Sequence, residues 1–80
     1  MKYLIIIEKG ETSYGAYSPD IPGCIAVGES VEDAEARMLN AIEQYLEFLR
    51  EEGKPAPVPT TASASFMHIA PPGQSSEHAA

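Results

Sequence analysis

Carboxylates are the first residues in this 80-residue chain whose types could support chemistry. Glu8 ends an apolar run near the N-terminus, Asp20 lies between two prolines, and Glu35 and Glu43 lie in a segment of helical periodicity. A metal-dependent nuclease needs several such carboxylates converging on divalent cations. No pattern brings these acids together, and the helical ones lie on the polar face. The sequence therefore predicts no metal site and no cofactor.

Cys24 is the one cysteine of the chain, and a cysteine nucleophile needs a nearby histidine. His68 lies far away in sequence, and no spacing pairs the two side chains. Cys24 begins an apolar run after a tight turn, where cysteine usually packs as a small hydrophobic residue. A single cysteine excludes an internal disulfide, and no Cys/His cluster has zinc-ligand spacing. We therefore predict a protein without catalytic residues, which is not an enzyme.

The chain is acidic, with 12 Asp and Glu against 5 Lys and Arg and a net charge of −7. This charge repels the phosphates of nucleic acids, so direct DNA or RNA binding is predicted to be absent. It attracts a basic partner at low and moderate salt. The same charge also promotes solubility, so composition by itself favours a basic partner only modestly.

The elements that must position these residues follow a β-β-β-α-β order. Strands are predicted at residues 2–8, 14–18, 24–27 and 62–70. A proline-rich connector, residues 54–61, precedes the last strand. Residues 1–70 are predicted to form one domain and residues 71–80 a disordered tail.

The helix is predicted over residues 31–52, from the N-cap Ser30 to the stop signal at Gly53. Its apolar positions share one face and most of its acids lie opposite. Seven acids against two arginines give it a net charge of −5. Leu39 and Leu46 lie at the edge of the acidic face. They either widen the apolar stripe toward the sheet or form a second contact surface, and the residues leave both interpretations open.

The first strand is apolar on both faces, because Tyr3, Ile5 and Ile7 alternate with Leu4 and Ile6. One helix covers only one face of a small sheet, and an exposed apolar face is a liability. A chain of this size also has a thin core. A second chain, or the tail folded back, is predicted to cover the remaining face, and we predict a homodimer or a larger homo-oligomer.

The N-terminal apolar run covers only residues 3–7. It is too short for the core of a signal peptide and far too short to span a membrane. With a lone cysteine in addition, the sequence predicts a cytoplasmic protein without membrane association.

A motif surrounds the first long loop. Residues 19–24 read Pro-Asp-Ile-Pro-Gly-Cys, and residues 28–34 read Gly-Glu-Ser-Val-Glu-Asp-Ala. A strand ending in Pro-Asp-hydrophobic-Pro-Gly-Cys, then a short strand, a glycine, a polar pair and a helix start with Glu-Asp-Ala, is the hallmark of the HicB antitoxin family. Residues 53–57, Gly-Lys-Pro-Ala-Pro, match the exit from the family's helix. The chain resembles this family over residues 2–58.

The resemblance implies an α+β domain with a truncated RNase H-like fold, in which one helix packs on a three- to four-stranded sheet without nuclease chemistry. It also implies a partner, a small basic toxin of the HicA type that is shaped like a double-stranded-RNA-binding domain. Such a toxin cleaves mRNA with a histidine, and the antitoxin neutralises it by covering the active site. Many family members add a C-terminal DNA-binding domain. Residues 71–80 have neither a helical period nor Lys or Arg, which predicts no direct operator binding.

The predicted partner-binding residues combine the acidic helix with the loop that precedes it. An acidic helix partly imitates phosphate, and apolar anchors beside charges are typical of specific interfaces. Asp20 is predicted to accept hydrogen bonds within its turn, with toxin contact at the rim of the loop. The full predicted set is Asp20, Glu32, Glu35, Leu39, Glu43, Leu46 and Glu47. Two alternatives stay open, a regulatory domain without a toxin and a small metal-dependent nuclease on the same fold.

Overall fold

A computed structural model describes residues 1–73 and shows a three-stranded antiparallel sheet with one helix packed on it. The elements in chain order are β1 (Ile6–Lys9), β2 (Tyr14–Tyr17), β3 (Ile25–Gly28) and α1 (Val31–Glu51). The strands are adjacent in chain order, and the register pairs Ile6 with Tyr17 and Tyr17 with Ile25. The predicted α+β architecture of three strands and one helix is thus confirmed.

Two turns close this sheet. The β1–β2 turn is held by a hydrogen bond of 2.7 Å from the Gly10 N–H to the Ser13 carbonyl. The β2–β3 connection is longer and contains Ile21, which is 0% exposed and anchors the loop in the core. Gly23 follows with φ of 87°, a left-handed conformation that favours glycine. The Pro-Asp-Ile-Pro-Gly-Cys motif of residues 19–24 therefore forms a rigid corner around the buried Ile21.

The start of α1 is capped reciprocally. Ser30 Oγ accepts a hydrogen bond of 3.0 Å from the Asp33 N–H, and Asp33 Oδ2 accepts one of 2.9 Å from the Glu29 N–H. The first bond satisfies an N–H group that the first helical turn leaves free, and the second holds the residue that precedes the N-cap. At the other end, Gly53 has φ of 72° and Lys54 N–H donates to the Leu49 carbonyl at 2.8 Å. Local sequence therefore explains both ends of the helix.

The core lies between α1 and the inner face of the sheet. Its buried residues are Ala16, Ile21, Ala34, Met38 and Ile42. Leu49 is also buried, near the end of the helix. The predicted apolar face is only partly right, because Val31 and Phe48 are 40% and 51% exposed.

The predicted last strand does not form. Residues 62–70 are extended without strand pairing, and within residues 1–73 no backbone hydrogen bond joins them to β1. Phe66, Met67 and Ile69 are 105%, 77% and 82% exposed. The physical reason is that this single chain offers no surface that covers their apolar side chains. The predicted tail, residues 71–80, lies mostly outside the described residues, and of the part that is described residues 72–73 lie in a turn.

None of the helical structure within residues 1–73 is long and apolar enough to cross a membrane.

Candidate partner-binding groove

A groove of about 390 Å³ runs between α1 and the N-terminal segment that leads into β1. On the helix side its positions recur at intervals of three and four residues, which places them on one face. The groove is lined by Met1, Tyr3, Ile5, Glu35, Leu39, Ile42, Glu43 and Leu46. Four of the seven predicted partner-binding residues are therefore brought together here.

The two leucines at the edge of the acidic face have different environments. Leu46 is half-buried and packs against the core cluster, as the wide-stripe interpretation predicts. Leu39 is 59% exposed and stands in the groove, as the contact-surface interpretation predicts. Another chain that buries a leucine exposed to this extent gains up to about 1.5–3 kcal/mol from the apolar surface removed from water.

Glu35 and Glu43 flank Leu39, one turn before it and one turn after it. Both side chains are exposed, and within residues 1–73 neither forms an ion pair. Their charges are therefore free to meet the cations of a partner. At this rim the groove combines an apolar floor with unpaired negative charge.

Glu32 and Glu47 lie on α1 outside the groove lining. Glu32 is exposed in the first turn. Glu47 forms an ion pair with Arg50, and the hydrogen bond from that guanidinium lowers the pKa of the Glu47 carboxyl. This charge is already compensated within the helix, so it is less available to a partner than that of Glu43.

Asp20 is turned inward. Its Oδ1 accepts hydrogen bonds from Thr60 N–H, Thr60 Oγ1 and Thr61 Oγ1 at 3.3, 3.0 and 3.1 Å. Burial acts to raise the pKa of Asp20, but the hydrogen bonds from Thr61 and Thr60 outweigh it and lower the pKa below its ordinary value. Within the described chain, Oδ2 is buried without a hydrogen-bond partner. The carboxylate thus clamps the connector to the loop and offers a partner little surface.

Tyr3 and Met1 are groove residues that sequence reasoning did not single out. The Tyr3 hydroxyl donates a hydrogen bond of 2.6 Å to the carbonyl of Pro57. This bond ties the N-terminal segment to the connector and sets one wall of the groove. The alternation of Tyr3, Ile5 and Ile7 toward the helix was the available signal, because it places all three beside α1.

The carboxylates weighed for metal binding are not assembled into a metal site in the described part of the chain. Within residues 1–73, no group of three or more His, Cys, Asp or Glu side chains is placed to hold a metal ion. Cys24 is half-buried, and desolvation raises the pKa of its thiol. A raised pKa opposes formation of the thiolate that a nucleophile requires.

Comparison with known proteins adds an independent observation. The sequence model of the family described as "HicB_like antitoxin of bacterial toxin-antitoxin system" matches residues 3–70. Antitoxin HicB 2 of Photorhabdus laumondii is 29% identical over 69 residues, which cover 86% of this chain and 50% of the relative. A UPF0150 protein of Archaeoglobus fulgidus is 42% identical over 48 residues, covering 59% of this chain and 70% of that protein.

A solved structure is similar as well. A chain of the HicA3 and HicB3 toxin-antitoxin complex aligns with a TM-score of 0.63 and 34% identity, over 74% of this chain and 69% of that one. The chain spans about half of the length of the Photorhabdus antitoxin. Because the family match covers most of the sequence and the fold agrees with it, the chain belongs to the HicB-like antitoxin family.

Proposed function

We propose that this protein is an antitoxin that binds a small basic toxin of the HicA type and neutralises it by covering the active site with which the toxin cleaves mRNA. The observation that carries the proposal is the groove in which exposed Leu39 stands between Glu35 and Glu43. The antitoxin acts by binding, without a catalytic residue, metal or cofactor of its own, and it works in the cytoplasm where mRNA is found.

The composition of the groove suits such a partner. An apolar anchor that enters a pocket supplies affinity, while charges around it raise the association rate and set the orientation of the complex. An RNA-cleaving toxin carries basic side chains that bind the phosphates of RNA. The carboxylates of Glu35 and Glu43 offer these side chains negative charge instead of the phosphates. A basic surface that pairs with these carboxylates is then unavailable to RNA.

Two further features belong to the same proposal. In this proposal the helix and the three-stranded sheet are a truncated RNase H-like fold, in which residues 1–73 assemble no metal centre. The net charge of −7 keeps the chain itself from binding nucleic acid directly. The similar solved structure supports a toxin partner, since it is described as a complex of HicA3 and HicB3.

The test is calorimetric binding of the purified chain to a small basic protein of the HicA type sought in the adjacent reading frames, together with an RNA-cleavage assay of that protein. Replacing Leu39 by serine removes the anchor without adding charge. It is expected to weaken binding by about 2 kcal/mol, roughly thirty-fold in Kd, and to restore cleavage at a fixed antitoxin concentration.

The matched control is Phe48→Ser, since Phe48 lies on the same helix at 51% exposure and outside the groove. This variant is expected to bind and inhibit like the wild type. If the wild type does not inhibit cleavage, the antitoxin proposal fails. If both variants bind equally well while remaining folded, the interface lies away from the groove.

A further inference from the structure

The face of the sheet turned away from α1 is apolar. Side chains alternate along a strand, and Ile5 and Ile7 pack in the core on the inner side, so Ile6 points outward. The register aligns Ile6 with Tyr17 and Tyr17 with Ile25, so one apolar row crosses all three strands. We call this surface the outer face, which consists of Leu4, Ile6, Tyr17, Ile25 and Val27.

The outer face is only partly covered. The C-terminal arm, residues 62–70, starts beside the Thr60 and Thr61 clamp and runs along the edge of the first strand, where residues 64–66 and residues 4–7 border a cavity of about 460 Å³. Leu4 and Ile6 are accordingly half-buried. At the other edge of the sheet, Ile25 and Val27 remain 69% and 58% exposed.

We propose that a second copy of this chain covers this surface, with two chains packed outer face to outer face and each arm lying against the partner's β3. Six exposed apolar side chains are available, from Tyr17, Ile25, Val27, Phe66, Met67 and Ile69. An aromatic side chain buries about 150 to 250 Å² and the smaller aliphatic ones less, so these six expose on the order of 800 Å², which is the area that each partner of a standard interface buries. A two-fold arrangement buries the six side chains of both chains at once, and it leaves no such surface free to bind a third chain.

The distribution of charge selects a second copy over a basic partner. The arm contains no Asp, Glu, Lys or Arg, and Glu8 at the end of β1 is the one acid that alternates onto the outer face within the described residues. The acids of α1 lie on the opposite side of the sheet. Two chains of charge −7 repel each other least when these helices are outermost. The toxin groove then stays open on each copy, so self-association is independent of toxin binding.

Sedimentation of the full chain across a micromolar concentration series tests the proposal. The wild type is expected to approach twice the chain mass of 8.6 kDa. Ile25→Glu is expected to raise the dimer Kd by roughly tenfold or more, because it places like charges across the interface. The triple variant with serine at Phe66, Met67 and Ile69 is expected to do the same by removing the apolar contact of the arm. All four side chains are exposed in the single chain, so its fold is expected to persist.

The control is Leu39→Ser, which alters the groove and is expected to remain dimeric. A wild type that keeps the mass of one chain at every concentration overturns the proposal, and so does a dimer that neither variant weakens. Failure of the toxin assay leaves this result unaffected, since no toxin is present in the measurement.

Discussion

Replacing Gly28 by alanine is expected to destabilise the domain by about 1–3 kcal/mol, the usual penalty for inserting a methyl group into a tightly packed site. A Cβ at this position lies 2.5 Å from the Ala34 nitrogen, 2.8 Å from its Cα and 2.9 Å from the Asp33 carbonyl carbon. Favourable contacts between such atoms need roughly 3.5 Å or more. All three are backbone atoms, so no side chain is able to rotate away, and the first turn of α1 must withdraw by about 1 Å.

That withdrawal is opposed by two interactions on the helix. The reciprocal hydrogen bonds of Ser30 and Asp33 hold the first turn, and Ala34 is buried against the sheet at 0% exposure. Thermal unfolding followed by circular dichroism measures the result. A domain of this size loses about 4–8 °C of Tm per kcal/mol, so a decrease of about 4–24 °C is expected.

The matched control is Gly15→Ala in β2, because a Cβ added there meets no atom within 4 Å. Its effect on the free energy of unfolding is expected to stay within about 0.5 kcal/mol. The reasoning is refuted if Gly28→Ala melts with the wild type, or if the two alanine variants lose equal stability. Close contact between the end of β3 and the start of α1 would then not constrain the fold.

Two further predictions concern individual carboxylates. The folded-state pKa of Asp20 is lowered from 3.8, so its ionised form stabilises the fold above about that pH and loses this contribution as the pH falls through the lower, folded value. Urea unfolding from about pH 5 down to about pH 2.5 is expected to show wild-type stability falling relative to Asp20→Asn, and a difference that does not change with pH contradicts the clamp. Glu43→Lys is expected to slow toxin association and flatten its salt dependence more than Glu47→Lys, because Glu43 lines the groove while Glu47 pairs with Arg50. Equal stopped-flow association rates for the two variants would contradict the groove as the toxin interface.

Local interactions explain why α1 was predictable almost to the residue. The expected range of 31–52 compares with Val31–Glu51. Ser30, Asp33 and Gly53 act on backbone groups within a few residues of themselves, so their effect is readable from neighbouring positions. The family motif was predictable for the same reason, since its prolines, glycine and Ile21 shape one short corner.

The last strand was mispredicted because strand pairing is not a local property. Residues 62–70 have suitable composition, but a strand needs a partner edge with matched register and a surface that buries its side chains. Within residues 1–73 the edge of β1 is free, but no backbone hydrogen bond joins it to the arm, and Phe66 and Ile69 stay exposed. If the proposed second copy is correct, that surface belongs to another molecule.

The sequence by itself determined the acidic charge, the order of the first four elements and the family, because these follow from composition, periodicity and a short motif. Only the tertiary structure decided that Leu39 stands exposed in a groove while Leu46 joins the core. It likewise joined Asp20 to Thr60 and Thr61 across some forty positions of chain. A helical period assigns a side chain to a direction around the axis, but the position and length of the packed sheet decide which directions are covered.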